Sequence, residues 1–253
     1  MSRKALAAMT PSFPAPGSPG PSFHAYDSLL AMAHGLAEEV AGRLGGALEA
    51  RGGASLVVTG GTTAGPLYDR LCRARIAWDR IFVTLSDERW LPAGSSDLNE
   101  TLVRQRLLVN NAERARFTPL KADARTAAEA ESKINWTIAA LRKPFDVTLL
   151  GMGADGHVAS LFAGGEGVER AMDLSDPALV RAVRYDRAAG SAERMTLTLR
   201  ALLESRFIAL MIRGADKRAA YHKALTGPAG AHPLPVRALL HQDAVPVGVY
   251  WAP

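Results

Sequence analysis

A histidine on a glycine-rich loop is the residue of this sequence best placed to do chemistry. His157 follows Asp155 and Gly156, directly after the apolar run 145–150. An imidazole titrates near neutral pH, so it can both remove and return a proton. A lone histidine is usually structural, but a position after a buried strand favours a catalytic role. Asp155 could orient the imidazole or stabilise its charge, and a role as turn residue or helix cap remains open.

The same loop formally matches a dinucleotide-binding fingerprint, Gly151-x-Gly153-x-x-Gly156, which would follow a strand and open a helix. Such a site also needs an acidic residue at the end of a second strand about 20 residues further on. Asp173 and Asp176 lie near that distance, but neither ends an apolar run. The match is weak, and we expect no cofactor.

A second glycine-rich loop could bind an anion. Gly60, Gly61, Thr62 and Thr63 lie between a predicted strand and a predicted helix. Paired glycines let the backbone approach a ligand closely, and hydroxyls with the N–H groups of a helix N-terminus suit a phosphate. An ordinary turn with Thr63 as helix cap explains the pattern equally well.

Charged residues follow the strand predicted at residues 81–85. Arg89 could grip a phosphate or carboxylate with its planar fork of donors, while Asp87 and Glu88 could orient it or bond substrate hydroxyls. A surface charge cluster, with residues 97–99 capping the next helix, fits the spacing slightly better.

Two further cations stand near predicted strand ends. Arg194 begins a predicted strand and Lys217 lies at a predicted helix start, and either could complete a phosphate site, although each alone is more typical of a solvated surface charge. No paired ligand spacing, and hence no metal site, is found among the other histidines: His24, His34, His222, His232 and His241.

Alternating periodicities indicate the elements that must position these residues. Strands are predicted at residues 55–59, 81–85, 145–150, 179–183, 194–199, 207–212 and 247–250. Helices are predicted at residues 26–51, 66–72, 98–108, 127–141, 215–225 and 236–240. Strands alternating with helices predict an α/β fold with a mostly parallel, Rossmann-like sheet covered on both faces. Ligands of such sheets bind outside the carboxyl ends of the strands, where the polar loops lie.

Composition predicts one folded domain behind a leader. Residues 11–21 hold five prolines, so we assign residues 1–22 to a flexible leader and residues 23–253 to a single domain. The chain has 48% hydrophobic and 22% charged residues, which fits a soluble protein with a full core.

Charge and cysteine content narrow the setting. The net charge of +5 is scattered rather than clustered, so we expect no nucleic-acid partner, although mild steering of an anionic substrate fits. No apolar run approaches the ~20 residues that span a bilayer, and we expect no membrane partner. Cys72 is the only cysteine, which excludes an intramolecular disulfide, and a cytoplasmic location is predicted.

Taken together, the loops resemble the 6-phosphogluconolactonase family, which shares an α/β superfamily with glucosamine-6-phosphate deaminases and ribose-5-phosphate isomerases. The resemblance runs from about residue 23 to the C-terminus. Its carriers are Gly60-Gly61-Thr62-Thr63, Asp87-Glu88-Arg89-x-x-Pro92, Leu150-Gly151-Met152-Gly153-x-Asp155-Gly156-His157-x-x-Ser160-Leu161-Phe162, Arg194-Met195-Thr196-Leu197-Thr198 and Gly214-x-x-Lys217. Ala64 replaces the family's usual proline, and Leu98 replaces the serine of a Ser-Asn pair.

The resemblance implies hydrolysis of 6-phosphoglucono-1,5-lactone to 6-phosphogluconate, a step of the oxidative pentose phosphate pathway, without metal or cofactor. His157 would activate the water, and Asp155 would hold the imidazole of His157. The small-molecule substrate would be bound by Gly60, Gly61, Thr62, Thr63, Asp87, Arg89, Gly153, Arg194 and Lys217. A monomer or weak homo-oligomer is expected.

Two alternatives stay open. The deaminases share the Gly-x-Gly-x-Asp-Gly-His loop, but theirs continues into a Phe-Asn-Glu-Pro type segment, whereas residues 159–163 here contain no acid. The same fold also serves as a sugar-phosphate sensor in some regulators. Because Asp155 and His157 are both present and no DNA-binding helix pair precedes the fold, the enzyme is favoured.

Overall fold

The computed structural model describes residues 20–228 and 234–253, and its central feature is a sheet of seven parallel strands. The predicted leader therefore lies outside the described residues except for residues 20–22, and His232 lies outside them too. Across the sheet the strands are β1 (Ser22–Ala25), β10 (Val247–Ala252), β9 (Ile208–Arg213), β6 (Val147–Gly151), β2 (Ala54–Val58), β3 (Ile81–Leu85) and β5 (Arg116–Thr118).

Eight α-helices accompany the strands in the described part of the chain. They are α1 (Leu29–Arg51), α2 (Ala64–Leu71), α3 (Asn99–Arg106), α4 (Ala127–Ala139), α5 (Val168–Met172), α6 (Leu199–Leu203), α7 (Ala215–Thr226) and α8 (Val236–Leu240). The predicted helices are confirmed to within a few residues at their ends. Helix α1 begins after Tyr26 because the Ser28 side chain caps it, accepting the Ala31 N–H at 3.1 Å. None of the described helices combines the length and apolar character needed to cross a membrane.

A second, antiparallel sheet holds two strands that the alternating pattern suggested for the parallel sheet. It consists of β4 (Asp87–Arg89), β8 (Glu193–Leu197) and β7 (Val180–Arg184). Residues 185–192 form a hairpin loop between β7 and β8, and a loop this short permits only antiparallel pairing. Helix α4 packs against β7. The sequence pattern located these strands but did not reveal their sheet.

Strands β1, β4 and β5 were not predicted. Their sequences, SFHA, DER and RFT, are too short and too polar to show alternation. Two of them lie at the outer edges of the parallel sheet, where one side of the strand is unpaired. Central strand β2 is buried throughout, as its continuous apolar run predicts.

The junction of β2 with β6 is the point where the chain changes direction across the sheet. After β2 the chain adds β3 and then β5 on one side, and after β6 it adds β9 and then β10 on the other. The loops that follow β2 and β6 therefore diverge and leave a crevice at the carboxyl edge of the sheet.

Asp146 reinforces this junction from the opposite edge. The β2–β6 ladder contains only the pairs Leu56↔Val147 and Val57↔Thr148. Next to it, the buried carboxylate of Asp146 accepts the Ser55 N–H at 2.9 Å and pairs with Arg51. The side chain thus continues the strand pairing where the backbone ladder stops.

Glu88 links the small sheet to α3. Its side chain is completely buried and accepts the N–H groups of Arg89, Asn99 and Glu100 at 2.7–2.8 Å. Two of these donors belong to the first turn of α3, so Glu88 caps that helix from another element. Burial raises the pKa of Glu88 from 4.5 to about 7, against the effect of its three donors.

We expect Asp146→Ala to lower the free energy of unfolding by about 3 kcal/mol, because it leaves buried donors and Arg51 without their carboxylate. Urea unfolding followed by circular dichroism measures this. Asp186→Ala, at a side chain that is 76% exposed, serves as the control and should change stability by less than about 0.5 kcal/mol. Equal stability of both variants would contradict the role given to Asp146.

The pKa of Glu88 predicts a pH-dependent stability. Since the folded-state value of about 7 lies above the ordinary 4.5, the proton on Glu88 stabilises the fold fully below pH 4.5. This contribution, about 3 kcal/mol, is lost as the pH rises through 7. The parent should therefore lose more stability than Glu88→Gln between pH 5 and pH 8 in urea unfolding. The exposed control Glu49→Gln should keep the parent's pH dependence.

Candidate active site

Four polar loops meet at the carboxyl edge of the parallel sheet. Gly60–Thr63 follows β2, Asp87 follows β3, Gly153–His157 follows β6, and Lys217 lies just after β9. Their strands β9, β6, β2 and β3 are consecutive neighbours with one direction. The structure thus brings the predicted loops to one side of the sheet, as expected.

His157 and Asp155 form a direct pair on the loop after β6. The imidazole Nδ1 lies 2.5 Å from the Asp155 carboxylate, which also accepts the His157 N–H at 3.3 Å. The hydrogen bond from His157 holds the pKa of Asp155 below its ordinary value. Both side chains reach solvent, with 29% of the His157 side chain exposed. With Nδ1 facing a carboxylate, Nε2 is the nitrogen left for a substrate.

Gly153 makes this pair possible. A Cβ at position 153 would lie 2.3 Å from two atoms of the His157 ring and 2.4 Å from an Asp155 oxygen. The Gly153 N–H donates to the His157 carbonyl at 3.0 Å, which closes the loop beneath the imidazole. No helix opens here, since the next one, α5, begins at Val168. The fingerprint therefore lacks the helix N-terminus that a dinucleotide pyrophosphate requires.

A column of aromatic rings supports the imidazole. His157 packs on Phe162 with ring centroids 4.2 Å apart, and Phe162 stacks on Tyr185 at 4.7 Å. Tyr185 comes from the hairpin loop between β7 and β8. Tyr185 was not predicted as a site residue, because nothing in the sequence around it indicates contact with a loop almost 30 residues earlier.

The glycine loop after β2 leads into the N-terminus of α2. Gly61 has φ +90°, a conformation that favours glycine, and Gly61 and Thr62 are exposed. Thr63 is the N-cap residue of α2, but its side chain makes no capping hydrogen bond. The hydroxyl therefore does not have the capping role that the sequence left open. The N–H groups of Gly61 and Thr62, the two exposed residues, lie just before α2, where an anion can bind.

Asn99, which the sequence predicted only as part of a helix cap, lies against this loop. A Cβ on Gly60 would lie 1.9 Å from Asn99 Oδ1, so only glycine allows the approach. The Asn99 amide also donates to the Asp87 carbonyl at 2.9 Å. The same region corrects the idea that Glu88 bonds substrate, because its carboxylate is buried and used by the backbone of α3.

Asp87 and Arg194 lie behind the surface. Asp87 is 5% exposed and accepts hydrogen bonds from Ser86 at 2.8 Å and Ser160 at 2.6 Å. Arg194 is 6% exposed, and its Nη1 lies 3.8 Å from the Asp87 carboxylate. Burial lowers the pKa of Arg194. Direct substrate contact by either residue stays a prediction.

The remaining two cations are nearer the surface. Arg89 is partly buried and donates through Nη1 to the Asp97 carbonyl, while its Nε has no hydrogen-bond partner among the described residues. Lys217 lies in the first turn of α7, partly exposed, and forms no ion pair within the described ranges. Among the described residues, neither forms a hydrogen bond with His157.

Two surface cavities do not include the His157 loop, one lined by residues that follow β4 and β5 and one by residues that precede β3 and β5. One of about 650 Å³ is lined by the segment after Arg89, including Trp90 and Lys121, and one of about 510 Å³ lies around Trp78 and Asn110. His157 lines neither of them. His157 instead stands after β6, at the junction where the chain changes direction across the sheet.

The chain matches proteins of known family over most of its length. Residues 27–249 match the family described as glucosamine-6-phosphate isomerases/6-phosphogluconolactonase. A 6-phosphogluconolactonase of Rhizobium meliloti is 39% identical, covering 92% of this chain and 99% of that protein. One from Mesorhizobium japonicum is 41% identical, with coverages of 92% and 95%.

A solved structure agrees with these relatives. The crystal structure of a 6-phosphogluconolactonase from Shewanella baltica has a TM-score of 0.89 and 37% identity, covering 93% of this chain and 99% of that one. Fold, motifs and sequence similarity thus lead to one conclusion: the chain belongs to the glucosamine-6-phosphate isomerase/6-phosphogluconolactonase family.

Proposed function

We propose that this protein hydrolyses 6-phosphoglucono-1,5-lactone to 6-phosphogluconate, as a step of the oxidative pentose phosphate pathway. The observation that carries the proposal is the 2.5 Å His157–Asp155 pair at the carboxyl edge, beside a glycine loop suited to phosphate. The names of the relatives from Rhizobium meliloti and Mesorhizobium japonicum support it.

In this mechanism His157 is the general base and then the general acid. Its Nε2 removes a proton from water, which attacks C1 of the lactone. The resulting imidazolium, facing the Asp155 carboxylate, then gives its proton to the departing ring oxygen. Acid–base help of this kind typically contributes about 10²- to 10⁴-fold, and the lactone also opens unaided.

The phosphate end holds the substrate in place. The N–H groups and hydroxyls of residues 60–63 receive the phosphate at the start of α2. Arg89 and Lys217, the two cations nearer the surface, supply positive charge to the phosphate or to the oxyanion at C1. Binding energy from this remote group positions C1 for attack.

We infer that the reaction uses the protein's own groups alone, without metal or cofactor, because each step needs only a proton carrier and a substrate held in place by its phosphate. Cys72, the only cysteine, is a buried free thiol, which supports a reducing cytoplasmic setting. The partner is a small phosphosugar lactone rather than nucleic acid or membrane, and the protein works as a monomer or weak homo-oligomer.

Deamination of glucosamine 6-phosphate is the second candidate, because the family includes such isomerases. Residues 159–163, Ala-Ser-Leu-Phe-Ala, contain no carboxylate to support ring opening. Ammonia release from glucosamine 6-phosphate without lactone hydrolysis would contradict the proposed function and favour the deaminase.

His157→Ala should remove nearly all lactone hydrolysis above the spontaneous rate, since it deletes the proton carrier. The lactone is generated with glucose-6-phosphate dehydrogenase and followed by NMR. Glucosamine 6-phosphate is offered in parallel and ammonia is measured. His34→Ala, at a histidine with a 54% exposed side chain, is the control and should match the parent. Full activity of His157→Ala would refute the mechanism.

Gly153→Ala should reduce kcat by at least tenfold, because its methyl group occupies the space of the His157 ring. Gly151→Ala is the matched control, because a Cβ there meets nothing within 4 Å. The rates and the thermal melting of both variants are compared with the parent. If both glycine variants lost activity equally, the close approach at Gly153 would not be the cause.

A further inference from the structure

The loop that carries His157 is held by a residue that the sequence analysis assigned to substrate binding. We propose that Asp87 is a positioning residue, which acts through Ser160 to keep the His157 loop in its working conformation. The inference rests on the proposed lactone hydrolysis for its kinetic readout. It reassigns Asp87 from contact with the substrate to support of the acid–base residue.

Ser160 forms hydrogen bonds with residues of two paired strands. Its hydroxyl donates to Asp87 Oδ2 at 2.6 Å, and its N–H donates to Thr196 Oγ1 at 3.3 Å. Asp87 on β4 and Thr196 on β8 are directly opposite each other in the antiparallel sheet. Ser160 and Thr196 are completely buried, so water does not replace these bonds. The small sheet therefore provides a rigid socket for one residue of the loop.

The residue before Ser160 is in a conformation that needs such a hold. Ala159 has φ +50°, in the left-handed region where a residue with a Cβ is strained. It is also buried, between Val158, which bridges to Met152 and Leu161, and the fixed Ser160. A strained alanine persists only where its neighbours determine the backbone on both sides. Here the Ser160 socket supplies one of those sides.

His157 lies on the other side of this turn. Its carbonyl is tied to the Gly153 N–H, and its ring rests on Phe162, two residues beyond Ser160. The segment from His157 to Phe162 is therefore short and fixed at both ends of the strained turn. If Ser160 loses its hold, Ala159 relaxes and the imidazole leaves the geometry it shares with Asp155.

Asp87 is suited to support rather than to contact. Its other oxygen is occupied by the Ser86 hydroxyl at 2.8 Å, and its carboxylate faces the buried Arg194. With 5% exposure, it offers almost no surface to a sugar. Ser86 gives a matched control, because it is equally buried and donates to the same carboxylate, and its backbone hydrogen bonds go to Val58 and Leu197 rather than to the His157 loop.

The kinetic test compares Ser160→Ala with Ser86→Ala in lactone hydrolysis. We expect Ser160→Ala and Asp87→Asn to lower kcat at least tenfold while KM stays within twofold, and Ser86→Ala to lower kcat less than threefold. A rise in KM as the main effect of Asp87→Asn would overturn the proposal in favour of substrate contact. Equal losses in Ser86→Ala and Ser160→Ala would overturn it as well.

A rescue variant separates positioning from general damage to the fold. Glycine has no Cβ penalty at positive φ, so Ala159→Gly keeps the turn populated without the socket. Added to Ser160→Ala, it should recover kcat at least threefold relative to Ser160→Ala alone. The absence of any recovery in a double variant that melts like the parent would contradict the strained-turn argument.

A direct readout does not depend on the reaction. The imidazole resonances of His157, recorded by NMR in the parent, Ser160→Ala and Ser86→Ala, report its environment beside Asp155 and Phe162. They should shift in Ser160→Ala and not in Ser86→Ala, and unshifted resonances in Ser160→Ala would refute the inference. If the parent hydrolysed no lactone, the proposed function would fall and this measurement would still decide the role of Ser160.

Discussion

The parallel pairing of β2 with β6 is the constraint on which the rest of the structure depends. It involves two residue pairs, yet it sets the glycine loop and the His157 loop side by side. Because the carboxyl ends of parallel strands all lie at one edge of the sheet, this pairing brings loops from distant segments together. Asp146 and Ser55 add side-chain pairing at the opposite edge, where the ladder is absent.

The second sheet gives that edge its rigidity. Strand β4 follows β3 directly and pairs with β8, and Ser160 of the His157 loop is hydrogen-bonded to both strands. It places two buried carboxylates, Asp87 and Glu88, next to backbone and hydroxyl donors. Burying a carboxylate is costly unless its oxygens are hydrogen-bonded, and here each oxygen has a donor. Three of these donors come from α3 and from the His157 loop, so satisfying the carboxylates also fixes both segments.

The sequence predicted what depends on local pattern. Strand Ile81–Leu85 and helix Val236–Leu240 match their predicted ranges, and Asp155 faces His157 as their spacing suggested. What failed depends on contacts between distant segments. Nothing in the sequence around Glu88 shows that its carboxylate will be covered by α3, since an acidic residue between polar neighbours has the pattern of a surface turn. The antiparallel sheet also depends on contacts between distant segments. The three residues of β4 are too few to show a periodicity that would predict it.

Three residues with positive φ lie at the candidate site. Gly61, Gly156 and Ala159 all have positive φ, and all three belong to loops at the carboxyl edge. Gly156 lowers the cost by lacking a Cβ, whereas Ala159 does not and must be held by its neighbours. The stability of the fold alone would favour glycine at position 159 as well. That an alanine stands there, buried beside a serine fixed by two strands, is understandable if a restrained loop keeps the imidazole in place better than a flexible one.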